Sequence, residues 1–391
     1  MAGSDDFSFF KFSATLDSES FKSFFVWCAQ NSVSDIHIQG GNELVVSRHG
    51  RLLKASQFIL ADDLMSKLSD EIFTPEVRAT VKGGRPVDRA LQLDGDINNR
   101  FGLTRGERLR FRCNFVQSTA GRQDTTMALT MRVIPTEIPL LEAMDIEPDL
   151  FDVLLPHKGL GLIGGETGSG KSTLLASIYR YCLDYYPDRK VTTTEDPIEY
   201  ILSKLGDVLP VTQLQLRRDV ESYAESIRAH LRRAPSIIGI GEMRDQETIE
   251  AAILAGQSGH LCLSTVHIHS PGEAISRCVT RFPAEIREAI ARDMLGVLQF
   301  IAVQKLLRTV GGKRIAVREF IVFSDELRDE LDDIPYQNWG RYIDGIIKME
   351  SRRISDHAWR LYNEGIIDRS ELSVAMNNRQ IHEFERMNQN V

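Results

Sequence analysis

The chain has 391 residues, 42% hydrophobic and 26% charged, which is enough for a sizeable core and for two or three domains. A net charge of −8, from 47 Lys and Arg against 55 Asp and Glu, disfavours direct nucleic-acid binding by the surface as a whole. Five scattered cysteines (Cys28, Cys113, Cys182, Cys262, Cys278) without a C-x-x-C pair exclude a disulfide framework, argue against a zinc clip and fit a reducing compartment.

At the N-terminus, Met1-Ala-Gly-Ser-Asp-Asp-Phe7 has no basic segment followed by an apolar one, so no signal peptide is expected. No run of about 18 apolar residues follows anywhere, so a cytoplasmic protein without a membrane span is expected. Residues 1–133 read as an α+β domain. A helix over Ser18 to Gln30 precedes strands at Asp35–Gln39 and Leu44–Ser47, with a His49-Gly50 turn before Arg51-Leu52-Leu53. Period-two alternation is clearest at Arg108 to Phe115, with Leu109, Phe111, Cys113 and Phe115 on one face and Arg108, Arg110, Arg112 and Asn114 on the other. The run Met127 to Val133 alternates likewise and puts Arg132 on its polar face. Ile134-Pro-Thr-Glu-Ile-Pro139 then breaks the pattern, so residues 134–148 read as a linker. From 149 to 290 strands and helices alternate, as in a largely parallel sheet covered by helices. Residues 291–391 read as mainly helical, a change that begins near Ala284.

The third part carries the strongest chemical signal. Gly164-Gly-Glu-Thr-Gly-Ser-Gly-Lys-Ser-Thr173 contains a phosphate-binding loop, Gly165-x-x-x-x-Gly170-Lys171-Ser172. The apolar strand Leu160 to Ile163 leads into it and the helix-forming run Leu174 to Leu183 leaves it. Its glycines free backbone N–H groups to curl around phosphates, and the helix start adds its positive dipole end. The expected nucleotide cradle is Gly165, Glu166, Thr167, Gly168, Ser169, Gly170, Lys171, Ser172 and Thr173. Lys171 would reach the β- and γ-oxygens of ATP, and Ser172 would give its hydroxyl to Mg²⁺.

Three more segments turn nucleotide binding toward hydrolysis. Val191-Thr-Thr-Thr-Glu-Asp-Pro-Ile-Glu-Tyr200 ends a β-branched strand in Glu195, Asp196 and Glu199, and a carboxylate there can orient or deprotonate an attacking water. Ser236-Ile-Ile-Gly-Ile-Gly-Glu242-Met-Arg-Asp245 is a buried strand that delivers Glu242, a Walker B arrangement supporting Mg²⁺ directly or through water. Gly259-His260-Leu-Cys-Leu-Ser-Thr-Val-His267 is a strand bracketed by histidines. No Cys or acidic cluster joins His260, His267 and His269 at ligand spacing, so sensing of the γ-phosphate or the water by a histidine is expected over a metal site.

These four elements, in this order and spacing, resemble the type II/IV secretion ATPase superfamily: its phosphate loop, Asp box (Glu195 to Glu199), Walker B (Gly241 to Asp245) and His box (Gly259 to His267) all match. Val33-Ser-Asp-Ile-His-Ile-Gln39, Arg110-Phe-Arg-Cys-Asn114, Arg132-Val-Ile-Pro135 and Gln304-Lys-Leu306 extend the resemblance over nearly the whole chain, with Gln304 to Leu306 placed in the helical end. The branch it looks most like is the PilT-like group serving type IVB secretion and conjugation, the DotB- and TraJ-like ATPases. Pilus-retraction members carry Ala-Ile-Arg-Asn-Leu-Ile-Arg-Glu in the helical end, whereas Asp325-Glu-Leu-Arg-Asp-Glu-Leu331 stands here. His269 replaces the Asn usual after the second His-box histidine, Ala234-Pro235 precedes Walker B, and the zinc-binding C-x-x-C pairs of other members are missing.

The resemblance implies an α/β fold: a RecA-like P-loop NTPase core with a PAS-like α+β N-terminal domain and a helical C-terminal end. It further implies a homo-hexamer with ATP at subunit interfaces, working with secretion or conjugation machine components at the cytoplasmic side of the inner membrane. By the same resemblance the catalytic glutamate is Glu199, the last residue of the Asp box, rather than Glu195. The transition state needs a cation beyond Lys171, and the polar face bearing Arg110, Arg112 and Arg132 could supply one from a neighbouring N-terminal domain, Arg112 and Arg132 above all, with Arg228 and Arg232 as weaker candidates. Pilus retraction, a silent nucleotide-gated scaffold and DNA translocation are the competing expectations.

Overall fold

The computed structural model describes residues 9–388 apart from 14, 49–50, 99, 121–122, 135–136 and 205. The expected His49-Gly50 turn, the Pro135-Thr136 part of the linker and the opening seven residues lie outside the described residues. The chain divides into two compact units at Glu137/Ile138.

In the first unit the chain runs α1 (Ser18–Gln30), β1 (Val33–Gln39), β2 (Glu43–Arg48), β3 (Arg51–Ile59), α2 (Asp62–Ile72), α3 (Pro75–Lys82), β4 (Val87–Asp94), β5 (Arg108–Ala120) and β6 (Gln123–Ile134). Asp17 and Ser20 cap α1 reciprocally. Phe21, Phe24, Phe25 and Cys28, spaced i, i+3, i+4, i+7, form its buried stripe. The strands pair antiparallel in the order β3-β2-β1-β6-β5-β4. Phe111, Cys113 and Phe115 are wholly buried in one core with apolar side chains of α1, α2 and α3. The alternation at β5 is therefore as expected, with one departure. Arg112 is exposed, but Arg110 on the same polar face is buried.

The second unit contains α4 (Pro148–Phe151), β7 (Gly159–Gly164), α5 (Lys171–Tyr185), β8 (Val191–Glu195), β9 (Thr212–Gln215), α6 (Tyr223–Leu231), β10 (Ile237–Ile240), α7 (Gln246–Gln257), β11 (Leu261–Val266), α8 (Glu273–Val279), α9 (Arg287–Val297), β12 (Leu298–Arg308), β13 (Arg314–Val322), α10 (Asp325–Asp332), α11 (Tyr336–Met349), α12 (Ile354–Asn363), α13 (Arg369–Ala375) and α14 (Asn378–Asn388). Its sheet runs β13-β12-β7-β11-β10-β8-β9, parallel from β12 to β9 with β13 antiparallel at the edge. Strands β7, β10 and β11 are buried on both faces, which explains their continuous apolar runs.

Two expectations change here. Residues after Ala284 are mainly helical as expected, but not throughout: β12 and β13 form a hairpin that extends the core sheet beside β7. Gln304 to Leu306 accordingly sits on strand β12 and not on a helix. The run Leu298 to Leu307 is buried on both faces, so it lacks the period that separates strand from helix. The stretch read as a linker is also packed from Pro139 onward. Leu141 is buried against α5, and Ser177 Oγ donates to the Pro139 carbonyl at 2.8 Å.

Candidate nucleotide-binding site

The loop between β7 and α5 is shaped by its glycines. Gly165, Gly168 and Gly170 have φ of 138°, 81° and 85°, conformations that side chains disfavour. At Gly165 a Cβ would also lie 2.4 Å from the Gln304 carbonyl oxygen. Lys171 opens α5, and its Nζ donates to the Gly165 and Glu166 carbonyls at 2.8 Å each, so the loop closes around its own ammonium. Burial pushes the Lys171 pKa below its ordinary value, while the carboxylates of Glu242, Glu199 and Glu166 oppose the shift. No side chain caps α5 and no acidic residue occupies its first turn, which leaves its N–H groups suited to an anion. Ser172 and Thr173 are half-buried in that turn, and Thr173 Oγ1 lies 2.9 Å from the Tyr200 hydroxyl.

Register brings the remaining groups to the same edge. Gly164 pairs with Val266, and Ile240 pairs with Ser264 and Thr194, so β7, β8, β10 and β11 all end beside the loop. Glu242 follows β10, with Oε1 3.5 Å from His267 Nε2 and Oε2 3.4 Å from Arg244 Nε. Arg244 also approaches Asp196 Oδ2 at 3.2 Å, which links Walker B to the Asp box. Glu195 accepts from Thr193 Oγ1 at 2.7 Å and Gln213 Nε2 at 3.1 Å, and burial raises its pKa despite those bonds. Glu199 is half-buried and close enough to Lys171 and Glu195 to act on both electrostatically.

The structure thus brings Glu166, Lys171, Glu195, Glu199, Glu242 and His267 to one strand-end cluster. His260 lies at the opposite end of β11 from His267 and binds Ser258 Oγ through Nδ1 at 3.3 Å, so the two bracket the strand without meeting. His269 Nδ1 faces Glu166 Oε1 at 3.8 Å, both exposed. Arg112 and Arg132 belong to the first unit, as direct cross-strand neighbours. Like charges in that position repel, and Asp35 relieves the repulsion by accepting from Arg132 Nε at 2.8 Å.

Residue-by-residue reading missed Arg244 as a site residue. A usable signal existed, since a cation immediately before the helix N-cap Asp245 sits at the end the dipole disfavours, where an acidic partner is needed to hold it. The donor set also fits Mg²⁺. The Ser172 hydroxyl and Glu242 carboxylate are hard oxygens, and Glu242 has loose partners, Arg244 at 3.4 Å and His267 at 3.5 Å. When bound, the ion would neutralise phosphate charge.

Comparison with known proteins agrees with this geometry. The family described as "Type II/IV secretion system protein" matches residues 22–387. The type IV pilus retraction ATPase PilT of Pseudomonas aeruginosa is 31% identical over 305 residues, which is 77% of this chain and 82% of that protein. The crystal structure of the Legionella pneumophila ATPase DotB superposes with a TM-score of 0.82 at 29% identity, covering 93% of this chain and 97% of that one. The pilus retraction motor PilT with bound ADP gives a TM-score of 0.75 at 27% identity, covering 93% and 98%. With the phosphate loop, its carboxylates and this whole-chain likeness together, the chain belongs to the type II/IV secretion system protein family and is an ATPase of the PilT and DotB type.

Proposed function

We propose that the protein is a hexameric motor that hydrolyses ATP, with Mg²⁺, to power a type IVB secretion or conjugative transfer system. The observation that carries this reading is the whole-length likeness to DotB, at a TM-score of 0.82 against 0.75 for PilT. The composition of α10 supports it: Asp325-Glu-Leu-Arg-Asp-Glu-Leu331 stands where retraction motors have their Ala-Ile-Arg-Asn motif. Among the described residues no helix is long and apolar enough to cross a membrane. A ring working at the cytoplasmic face through partner proteins accommodates that.

In the proposed reaction the loop amides and Lys171 hold the triphosphate and Glu199 orients and deprotonates water, while Ser172, and Glu242 directly or through water, would hold Mg²⁺. Arg112 and Arg132 of a neighbouring subunit would meet the charge that develops on the γ-phosphate. Retraction of a pilus is the second reading, supported by the 31% identity to PilT. Deleting the gene in its host and scoring both phenotypes separates them. Lost substrate or DNA transfer with normal twitching supports the first, and lost twitching with normal transfer supports the second.

A further inference from the structure

Behind the phosphate loop lies a buried polar chain that the catalytic reading does not use. Gln304 on β12 is 2% exposed, and its Nε2 donates to the Ser169 carbonyl of the loop at 2.7 Å. Its Oε1 accepts from Arg318 Nε on β13 at 3.0 Å. Arg318 is 1% exposed and donates from Nη1 to the Asp145 carbonyl at 2.9 Å and from Nη2 to the Met144 carbonyl at 3.1 Å. Asp145 holds φ of 46°, a left-handed conformation that needs outside support in a residue other than glycine. Glu147 accepts from His357 Nδ1 at 2.7 Å and faces Arg318 at 3.9 Å, and its pKa stays low despite burial because of these two partners. His357 Nε2 lies 2.9 Å from Arg360 Nη2, and its Nδ1 also lies 3.4 Å from the Arg318 backbone N, which ties the ring to β13.

A fully desolvated Arg needs this many acceptors merely to be tolerated. Three of its partners, however, are backbone carbonyls or the amide that grips Ser169, so its role reaches beyond neutralising an acid. An amide side chain that gives one end to the loop and the other to a guanidinium is also directional: rotating it breaks both bonds. We propose that Gln304 and Arg318 are positioning residues that fix the shape of the phosphate loop and tie it to Met144–Glu147. Nucleotide in the loop and order in that segment are then linked, each favouring the other. The segment is where the chain enters the second unit, so its setting reaches the nucleotide through two buried side chains.

This inference rests on the loop binding nucleotide, and the test separates the two. Gln304→Met keeps the length of the side chain without a donor, an acceptor or a new charge, and Arg318→Met leaves the Gln304–Ser169 bond in place. Binding of a non-hydrolysable ATP analogue is titrated for both, and hydrogen exchange of residues 141–147 is measured with and without it. Gln304→Met should bind about tenfold more weakly and Arg318→Met less so, in keeping with one or two buried hydrogen bonds. Nucleotide should slow exchange in 141–147 of the wild type and in neither variant. The inference is overturned by wild-type exchange that ignores nucleotide, by protection that persists in Gln304→Met, or by Gln304→Met affinity within about twofold of wild type. Should Arg318→Met not fold, the Gln304 measurements decide alone. Lys171→Ala is the control: wild-type binding there sinks the phosphate-loop reading itself.

Discussion

Glu195 and Glu199 lie four residues apart in very different company. Thr193 and Gln213 hold the Glu195 carboxyl and burial raises its pKa, so it acts as a fixed part of the scaffold at the end of β8. Glu199 lies in the field of Lys171, beside the place where phosphate would sit. Glu199→Gln should bind ATP yet hydrolyse it roughly 10²–10⁴-fold more slowly, the usual range for a lost general base. Glu195→Gln should stay within about tenfold of wild type, below that range. Phosphate release at saturating ATP checks both, and an inactive Glu195→Gln beside an active Glu199→Gln would invert the assignment. His230 makes a different prediction. It is wholly buried on α6, with Nε2 2.8 Å from Thr194 Oγ1, and burial, with Arg233 adding, pulls its pKa down to about 4. Its folded pKa lies below the unfolded value near 6.5, so the unfolded chain takes up the proton first as pH falls. The stability of the neutral form is intact above pH 6.5, is lost progressively below it and levels off near pH 4. Between pH 7.5 and 5 this amounts to about 2 kcal/mol. Denaturant midpoints of His230→Gln should accordingly fall less over that interval than those of the wild type, and equal falls would refute the buried neutral histidine.

At the scale of elements, what the sequence reveals depends on whether the pattern is local. Helix α1 is legible to the residue because its stripe and polar face lie within its own 13 residues and its cap, Asp17, directly precedes them. The phosphate loop and the Asp box are equally legible, since their glycines, lysine and carboxylates are contiguous. The hairpin β12–β13 is not, because a strand buried on both faces has no period to betray it. The Gly311-Gly312 turn between the two strands is the local sign that distinguishes it from a helix. Nor does the role of Gln304 show in the sequence, although the residue belongs to a segment that carries the resemblance, because its partner Ser169 is 135 residues away and only strand order brings them together. Placement of the hairpin inside the core sheet has a measurable consequence. Ile301 is wholly buried in the same cluster as Leu162 and Ile240. Ile301→Ala should therefore destabilise the second unit by about 2–5 kcal/mol, the range for a large-to-small change in a core. It should lower the unfolding midpoint of that unit as a whole, as followed by Trp339 and Trp359 fluorescence. A separate early transition that leaves nucleotide binding intact would instead mark the hairpin as an independent lobe.

On the scale of the whole molecule, the arginines pose the question that one chain cannot answer alone. Arg112 and Arg132 are exposed, Arg132 paired with Asp35, while the phosphate loop belongs to the other unit. Two cations side by side on one strand face cost repulsion that Asp35 only partly offsets, and a phosphate would offset it further. If they serve a neighbour's ATP, Arg112→Ala and Arg132→Ala should fold and bind nucleotide but lose roughly 10³–10⁵ in hydrolysis, as arginine fingers do. Action across an interface is tested by mixing either variant with Lys171→Ala. Some interfaces in the mixed assembly then pair an intact loop with intact arginines, and partial activity should return because each variant supplies what the other lacks. Co-migration of differently labelled subunits establishes that exchange has occurred. Exchange without any return of activity, at every mixing ratio, refutes action in trans. Wild-type hydrolysis by each arginine variant alone would reduce the pair to a solvated basic face balanced by Asp35.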